Sequence, residues 1–233
     1  MPNAEHLNLD FKAVCIQAVD LQIIRIYENN ILSYLQNYSL ENNDYVPHLK
    51  KAGRLIYKKT LYLNIDEKNY NQWQNYSINL KHIINQEPGA LYRVVLSFKQ
   101  EYATPPFNNK TISSNNSEMV NLASGEMTDI DEEKWDYSDN NYYSEDNNYD
   151  WNIFDWNQIN NPYHASYYME SSNTIVSTTL LASNLGMIVK ANNNNKYWAS
   201  VSDIITAKPI LGAEVNLYNY QLQNIGSGKT NAE

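Results

Sequence analysis

Apolar and polar residues alternate with a period of two in several stretches between residues 7 and 98. Leu7, Leu9, Phe11, Ala13 and Cys15 fall on one face, with His6, Asn8, Asp10 and Lys12 opposite, the pattern of a half-buried strand. Residues 21–28, rich in Ile, predict a second strand. Leu55, Tyr57, Leu61 and Leu63 share one face of a third, which opens after Gly53. Tyr76, Ile78 and Leu80 mark a fourth, and Ala90, Tyr92, Val94, Leu96 and Phe98 a fifth, entered through Pro88 and Gly89. Two short stretches break the rhythm. Ile31, Leu32, Tyr34 and Leu35 follow Asn29 and Asn30 with helical spacing, predicting a helical turn capped by Asn. Residues 81–85 suggest another single turn.

From Pro105 to Pro162 the alternation dissolves into Asn, Asp, Ser and Tyr. Such a stretch is too long for an ordinary loop and reads as a disordered or loosely held insertion. Its aromatic residues, Trp135, Trp151, Phe154 and Trp156 among them, suggest that the 149–156 end docks on a folded face. Order is expected to resume after Tyr167: a strand over 180–189 with Gly186 inside it, a turn at 192–195 and a strand over 197–205. A bend at 207–212, a strand over 213–220 and a turn at 226–228 follow. The pattern predicts an all-β chain. A β-sandwich spans 1–104, an acidic insertion or linker 105–172, and an incomplete second sandwich 173–233, whose partner strands are expected from sequence beyond Glu233. Both ends read as cuts inside a larger protein, since Met1 runs almost directly into a strand and no signal sequence is visible.

Composition agrees with β structure. Only 18% of residues are charged, and the polar load falls on 36 Asn, which favours turns, and 20 Tyr, which favours half-buried strands. The net charge of -9 argues against nucleic acid, whose phosphates need clustered Lys and Arg. The acidity is concentrated over 112–162, where Lys134 is the single base among 12 acids, so the rest of the chain is slightly basic. No stretch has the run of apolar residues a membrane helix needs.

Candidate chemistry is sparse. Cys15 is the single cysteine, so no internal disulfide forms and no zinc-type Cys/His spacing exists; it reads as a small core hydrophobe. His6, His48, His82 and His164 lie far apart and read as surface residues. No nucleophile elbow, zinc-protease helix motif or phosphate-cradling loop occurs. The run Gly226-Ser227-Gly228-Lys229-Thr230 matches part of a phosphate-binding loop, but the upstream glycine spacing fails. Asp129, Asp131, Asp136, Asp139, Asp146 and Asp150 supply hard oxygen ligands of the kind calcium takes, yet no EF-hand-type loop is formed, and a solvated acidic loop is the simpler reading. No catalytic, cofactor-binding or metal-ligating set is therefore assigned, and no cofactor is expected. Tyr92 and Val94 fit either the tyrosine corner of an immunoglobulin-like sandwich or an ordinary strand aromatic with its neighbour.

The stretches 183–189 (SNLGMIV), 197–203 (YWASVSD), 208–215 (KPILGAEV) and 226–230 (GSGKT) resemble, in this order, a macroglobulin-like domain of bacterial alpha-2-macroglobulins. The stretches 18–21 (AVDL), 25–30 (RIYENN), 53–55 (GRL) and 86–98 (QEPGALYRVVLSF) resemble the preceding module in Bacteroidetes-type members of that family. The final glycine of the family's last turn is missing because the chain stops.

The resemblance implies immunoglobulin- or fibronectin-III-like macroglobulin sandwiches, and a scaffold portion of a protease trap at the bacterial envelope, periplasmic or extracellular. Whole members collapse around a protease that cuts their bait segment, and many capture it with a thioester built on a Cys-x-x-Gln arrangement. Here Cys15-Ile16-Gln17 places the Gln two positions on, so the warhead is absent, and the chain is expected not to be an enzyme. A bait-like role for the acidic insertion is a further reading, although the family's bait lies elsewhere. Expected partners are the other macroglobulin-like domains of the parent and, through it, target proteases, with no membrane contact. The alternative is an extracellular β-sandwich binding or adhesion module using exposed Trp and Tyr on sugar rings, with calcium.

Overall fold

A computed structural model describes residues 8–37, 49, 52–64, 70–84, 89–104, 151–194 and 196–231. The strands among them are β1 (Asn8–Ala13), β2 (Ala18–Ile26), β3 (Gly53–Tyr62), β4 (Gln74–Asn79), β5 (Leu91–Ser97), β6 (Ile175–Leu181), β7 (Leu185–Ala191), β8 (Tyr197–Asp203), β9 (Glu214–Tyr218) and β10 (Asn224–Lys229). All pairings are antiparallel. One sheet has four strands in the order β3-β2-β5-β6, and three two-stranded sheets pair β1 with β4, β7 with β8, and β9 with β10. The chain is all-β, as its alternation predicted.

The four-stranded sheet is covered on both faces. Val19, Leu21 and Ile23 of β2, with Tyr92, Val94 and Leu96 of β5, pack with Ile78 of β4 and Leu80, against which Leu9 and Phe11 of β1 close the layer. Phe11 stacks on Tyr76 across the β1–β4 pair, with ring centroids 5.4 Å apart. The opposite face carries Ile24, Ile26, Leu55, Leu91 and Val95 against Tyr34 and Leu49. Tyr34 comes from α1 (Ile31–Asn37), which follows a 3-10 turn at Glu28–Asn30. The predicted helical turn is therefore present, though the Asn30 side chain donates to the Ala52 carbonyl at 2.9 Å. Every residue of β2 except Arg25 is buried, the polar Asp20 and Gln22 included, because both faces of the sheet are covered. The second single turn forms one residue early, at Leu80–His82, where the Asn79 side chain accepts from the Lys81 N–H.

Gly53 and Gly89 carry the backbone demands of this unit. A Cβ on Gly53 would lie 2.5 Å from the Arg25 carbonyl oxygen, so only glycine lets β3 open against β2 there. Gly89 has φ +85°, and its N–H donates to the Ala182 carbonyl at 2.7 Å, tying the entry of β5 to the end of β6.

Several expectations are corrected. The first strand stops at Ala13, and Cys15 adopts a left-handed conformation with φ 57°. Cys15 is half-buried in a bend, its N–H bonded to the Tyr70 carbonyl at 3.0 Å and its own carbonyl accepting from Thr104 at 2.9 Å. It is thus not the strand-borne core hydrophobe expected from its period-two position. The strand expected over 180–189 is two strands, because the backbone breaks at Ala182–Asn184 and passes from one sheet to another. Its first part, β6, pairs with β5 from Leu91 opposite Leu181 to Ser97 opposite Ile175. The last strand of the first sheet therefore lies beyond the boundary drawn at residue 173. Residues 151–172, read as insertion or linker, hold 3-10 turns at Trp151–Ile153 and Trp156–Gln158 and a short helix at Ala165–Met169, and a second helix, Ser171–Thr174, runs past their end. Finally, Gly226 and Gly228 do not turn the chain: both lie inside β10, opposite Leu217 and Val215.

Candidate functional site

Among the described residues, no group of three or more His, Cys, Asp or Glu side chains is placed to hold a metal ion. Asp129, Asp131, Asp136, Asp139, Asp146 and Asp150 lie outside the described residues, as do His6, His48 and the side chain of His82. The one described His side chain, His164, touches a serine: its Nδ1 lies 3.0 Å from Ser166 Oγ and accepts from the Ser166 N–H at 3.2 Å. Ser166 is fully buried, and its hydroxyl also accepts from the Asp155 N–H at 2.8 Å, so the contact is the N-cap of the Ala165–Met169 helix. A buried hydroxyl held in a helix cap is closed to a substrate, and the pair carries no nucleophilic chemistry. Lys229 and Thr230 fall at the end of β10, where Thr230 Oγ1 donates to the Ile210 carbonyl at 2.6 Å and accepts from the Ala213 N–H at 2.9 Å. That threonine joins two β segments and is not part of a phosphate cradle. Tyr92 and Val94 are both buried in the core beside Tyr57.

The pattern of residues missed two buried polar groups. Asp20 of β2 accepts from Thr60 Oγ1 at 2.6 Å and from the Tyr102 hydroxyl at 3.0 and 3.1 Å on its two oxygens. Arg93 of β5 is buried and donates to Thr179 Oγ1 at 2.8 Å and Ser177 Oγ at 2.6 Å, both on β6. A charged residue within an otherwise apolar strand run was the available signal for each. Both groups are buried and join elements of the fold.

Burial also shows in the tyrosines. Tyr168 is pushed up to about 12, first by burial and then by the nearby Tyr167 and Cys15. Tyr102 is raised further, by burial first and then by the Asp20 carboxylate. Because these phenols are raised in the folded state, their contribution to stability is complete below pH 10, the usual tyrosine range. It is lost as pH rises from there through about 12 for Tyr168. Chemical denaturation as a function of pH should therefore show stability falling over that window, and Tyr168→Phe should flatten the fall. An identical alkaline profile for the variant would contradict this account.

What stands out after β6 is exposed apolar surface. Met187 and Ile188 of β7 are 60% and 63% exposed, and Ile205 and Leu211 of the following bends 56% and 60%. Leu185, Tyr197, Trp198, Tyr220 and Ile225 are exposed too. The two hairpins are cross-linked, since Ser202 bridges Pro209, the Ile210 N–H reaches the Val201 carbonyl at 2.9 Å, and Thr230 ties β10 to 210–213. Asp203 organises the bend between them. Its Oδ1 accepts from the N–H groups of Ile205 and Thr206 and from the Thr206 hydroxyl, which holds its carboxyl below the usual range. Gly186 admits Ile204 over β7, where an added Cβ would meet Ile204 Cγ2 at 2.6 Å. The backbone is well ordered by hydrogen bonds, yet exposed apolar side chains line the hairpins. Met187 and Ile188 are neighbours along β7, so apolar side chains stand exposed on both of its faces.

This arrangement of small antiparallel sheets is the fold of bacterial alpha-2-macroglobulin domain fragments. The fragment of native alpha-2-macroglobulin from Escherichia coli spanning domains NIE and MG1 superposes with a TM-score of 0.54 at 13% identity, covering 96% of this chain and 74% of that one. A longer fragment of the same protein, spanning MG0, NIE and MG1, superposes with a TM-score of 0.51 at 13% identity, covering 98% of this chain and 50% of that one. No protein-family model and no curated protein sequence matches this chain. The likeness is one of fold.

Proposed function

We propose that this chain is a non-catalytic scaffold portion of an alpha-2-macroglobulin-like endopeptidase inhibitor, working with further macroglobulin-like domains at the bacterial envelope or outside the cell. The observation that carries the reading is the superposition of 96% of the chain on the fragment of an alpha-2-macroglobulin that spans domains NIE and MG1. The exposed apolar side chains of β7–β10 fit this role. Burying one Leu, Ile or Met side chain stabilises by about 1.5–3 kcal/mol, so neighbouring domains that cover several of them gain a firm attachment. Target proteases are engaged through the assembled inhibitor. This chain lacks the Cys-x-x-Gln arrangement of a thioester, since Gln17 lies two positions after Cys15.

Protease-inhibition assays test the reading directly. The chain alone should leave the activity of a panel of endopeptidases on a protein substrate unchanged at equimolar and excess ratios. A longer protein that joins this chain to further macroglobulin-like domains should inhibit them. Inhibition by the chain alone, or turnover of any substrate by it, would remove the scaffold assignment.

A further inference from the structure

The two edges of the four-stranded sheet are built differently. The β3 edge carries Arg54, Lys58 and Lys59 and a bulge where the register slips opposite Ile23 and Ile24. Charge and bulges are the usual devices that stop an edge strand from pairing with another chain. The β6 edge has neither: it runs seven residues, Ile-Val-Ser-Thr-Thr-Leu-Leu, in unbroken register with β5. No charged residue occurs from Ile175 to Val189, and among the described residues no strand pairs with the outer side of β6. Val176 and Leu181 on this strand are exposed.

The order of residues in β6 selects the occupant. Read from either end, the strand gives two apolar residues, three hydroxyl residues and two apolar residues. We propose that β6 pairs with β6 of a second copy of this chain, antiparallel and about a two-fold axis through Thr178, joining two four-stranded sheets into one of eight strands. In that register Thr178 faces Thr178 of the partner copy. Ser177 then faces Thr179, Val176 faces Leu180, and Ile175 faces Leu181. Every opposed pair matches, hydroxyl with hydroxyl and apolar with apolar, as a self-complementary two-fold contact requires. Arg93 supports the polar centre. It donates to the hydroxyls of Ser177 and Thr179, fixing both as acceptors and leaving each hydroxyl proton to be donated across the axis. This contact is independent of the scaffold role, because it involves the edge of the first sheet and not the exposed β7–β10 hairpins.

Sedimentation velocity on the 233-residue chain, over a wide concentration range, tests the pairing. A concentration-dependent dimer is expected. Thr178→Lys and Thr178→Glu each place like charges face to face at the axis and should weaken it by about tenfold or more. Mixing the two variants should restore a one-to-one dimer, which only a contact with residue 178 on the axis achieves. Val176→Lys, at an exposed position that leaves the core intact, should weaken the dimer similarly while circular dichroism shows an unchanged fold. A monomer at all concentrations overturns the proposal. So does a dimer indifferent to these variants but broken by Met187→Lys, which would put the contact on the hairpins.

Discussion

Truncating Tyr92 to Ala is expected to lower the unfolding free energy by about 4 kcal/mol, the range for removing a buried aromatic ring. Tyr92, the second residue of β5, is fully buried, opposite Arg25 on one side and Leu180 on the other. Its ring sits in the layer formed with Val19, Leu21, Ile23, Tyr57 and Ile78, between the four-stranded sheet and the β1–β4 pair. β5 is flanked by β2 on one side and β6 on the other, so the surrounding side chains cannot collapse to fill the void, and the cavity cost adds to the lost transfer energy. Tyr92→Phe separates ring from hydroxyl. If the hydroxyl bonds back to the backbone as in a tyrosine corner, the variant loses about a further 1 kcal/mol relative to an ordinary core ring. Urea denaturation of the three proteins reads both quantities, and a loss below about 2 kcal/mol for the alanine variant would contradict the central placement of this ring.

The first five strands were legible because period-two alternation is a local property, and each of them obeys it closely enough to be found. What alternation does not reveal is the partner. β6 carries a clear strand signature, yet nothing local in Ile-Val-Ser-Thr-Thr-Leu-Leu tells that its neighbour is β5, 84 residues away at the Arg93–Ser177 contact. A boundary at residue 173 follows chain order, whereas long-range hydrogen bonds place β6, at Ile175–Leu181, beside β5. The Gly226–Gly228 error has a similar source. Glycine signals a turn in most contexts, but here both lie in β10 opposite Val215 and Leu217, and the actual reversal falls at Tyr220–Gln221. The fold likeness to alpha-2-macroglobulin fragments was legible through short ordered motifs, while the exposure of the β7–β10 side chains was visible only in three dimensions. Cys15 shows the opposite limit, since its apolar-face position said strand and its left-handed backbone is set by hydrogen bonds to Tyr70 and Thr104.

Asp20→Ala is expected to cost about 3 kcal/mol. Asp20 is nearly fully buried and accepts from two hydroxyls, that of Thr60 on β3 and that of Tyr102, whose single proton is shared between the two carboxylate oxygens. Removing the carboxylate leaves two O–H donors facing an apolar gap, and hydrogen bonds to a charged group contribute about 1.5–3 kcal/mol. The consequence extends along the chain. Tyr102 lies in a 3-10 turn whose backbone is strapped to the β1–β2 connection: the Gln17 N–H donates to the Tyr102 carbonyl at 2.7 Å, Gln17 Nε2 to the Ala103 carbonyl at 3.1 Å, and Ile16 bridges Ala103. Asp20 thus fixes the position at which the chain leaves the first sheet after β5. Hydrogen exchange at the Gln17 and Thr104 amides should accelerate in Asp20→Ala more than exchange in β5. Tyr102→Phe should cost less, because Asp20 keeps its bond to Thr60. In a double-mutant cycle the two changes should couple by about 1.5 kcal/mol, as groups that share hydrogen bonds do. The Asp20 charge also raises the Tyr102 phenol, so the alkaline titration of Tyr102 should move to lower pH in Asp20→Ala. Additive energies in the cycle, with unchanged exchange at Gln17 and Thr104, would show that Asp20 is merely tolerated in the core and does not hold the exit strap in place.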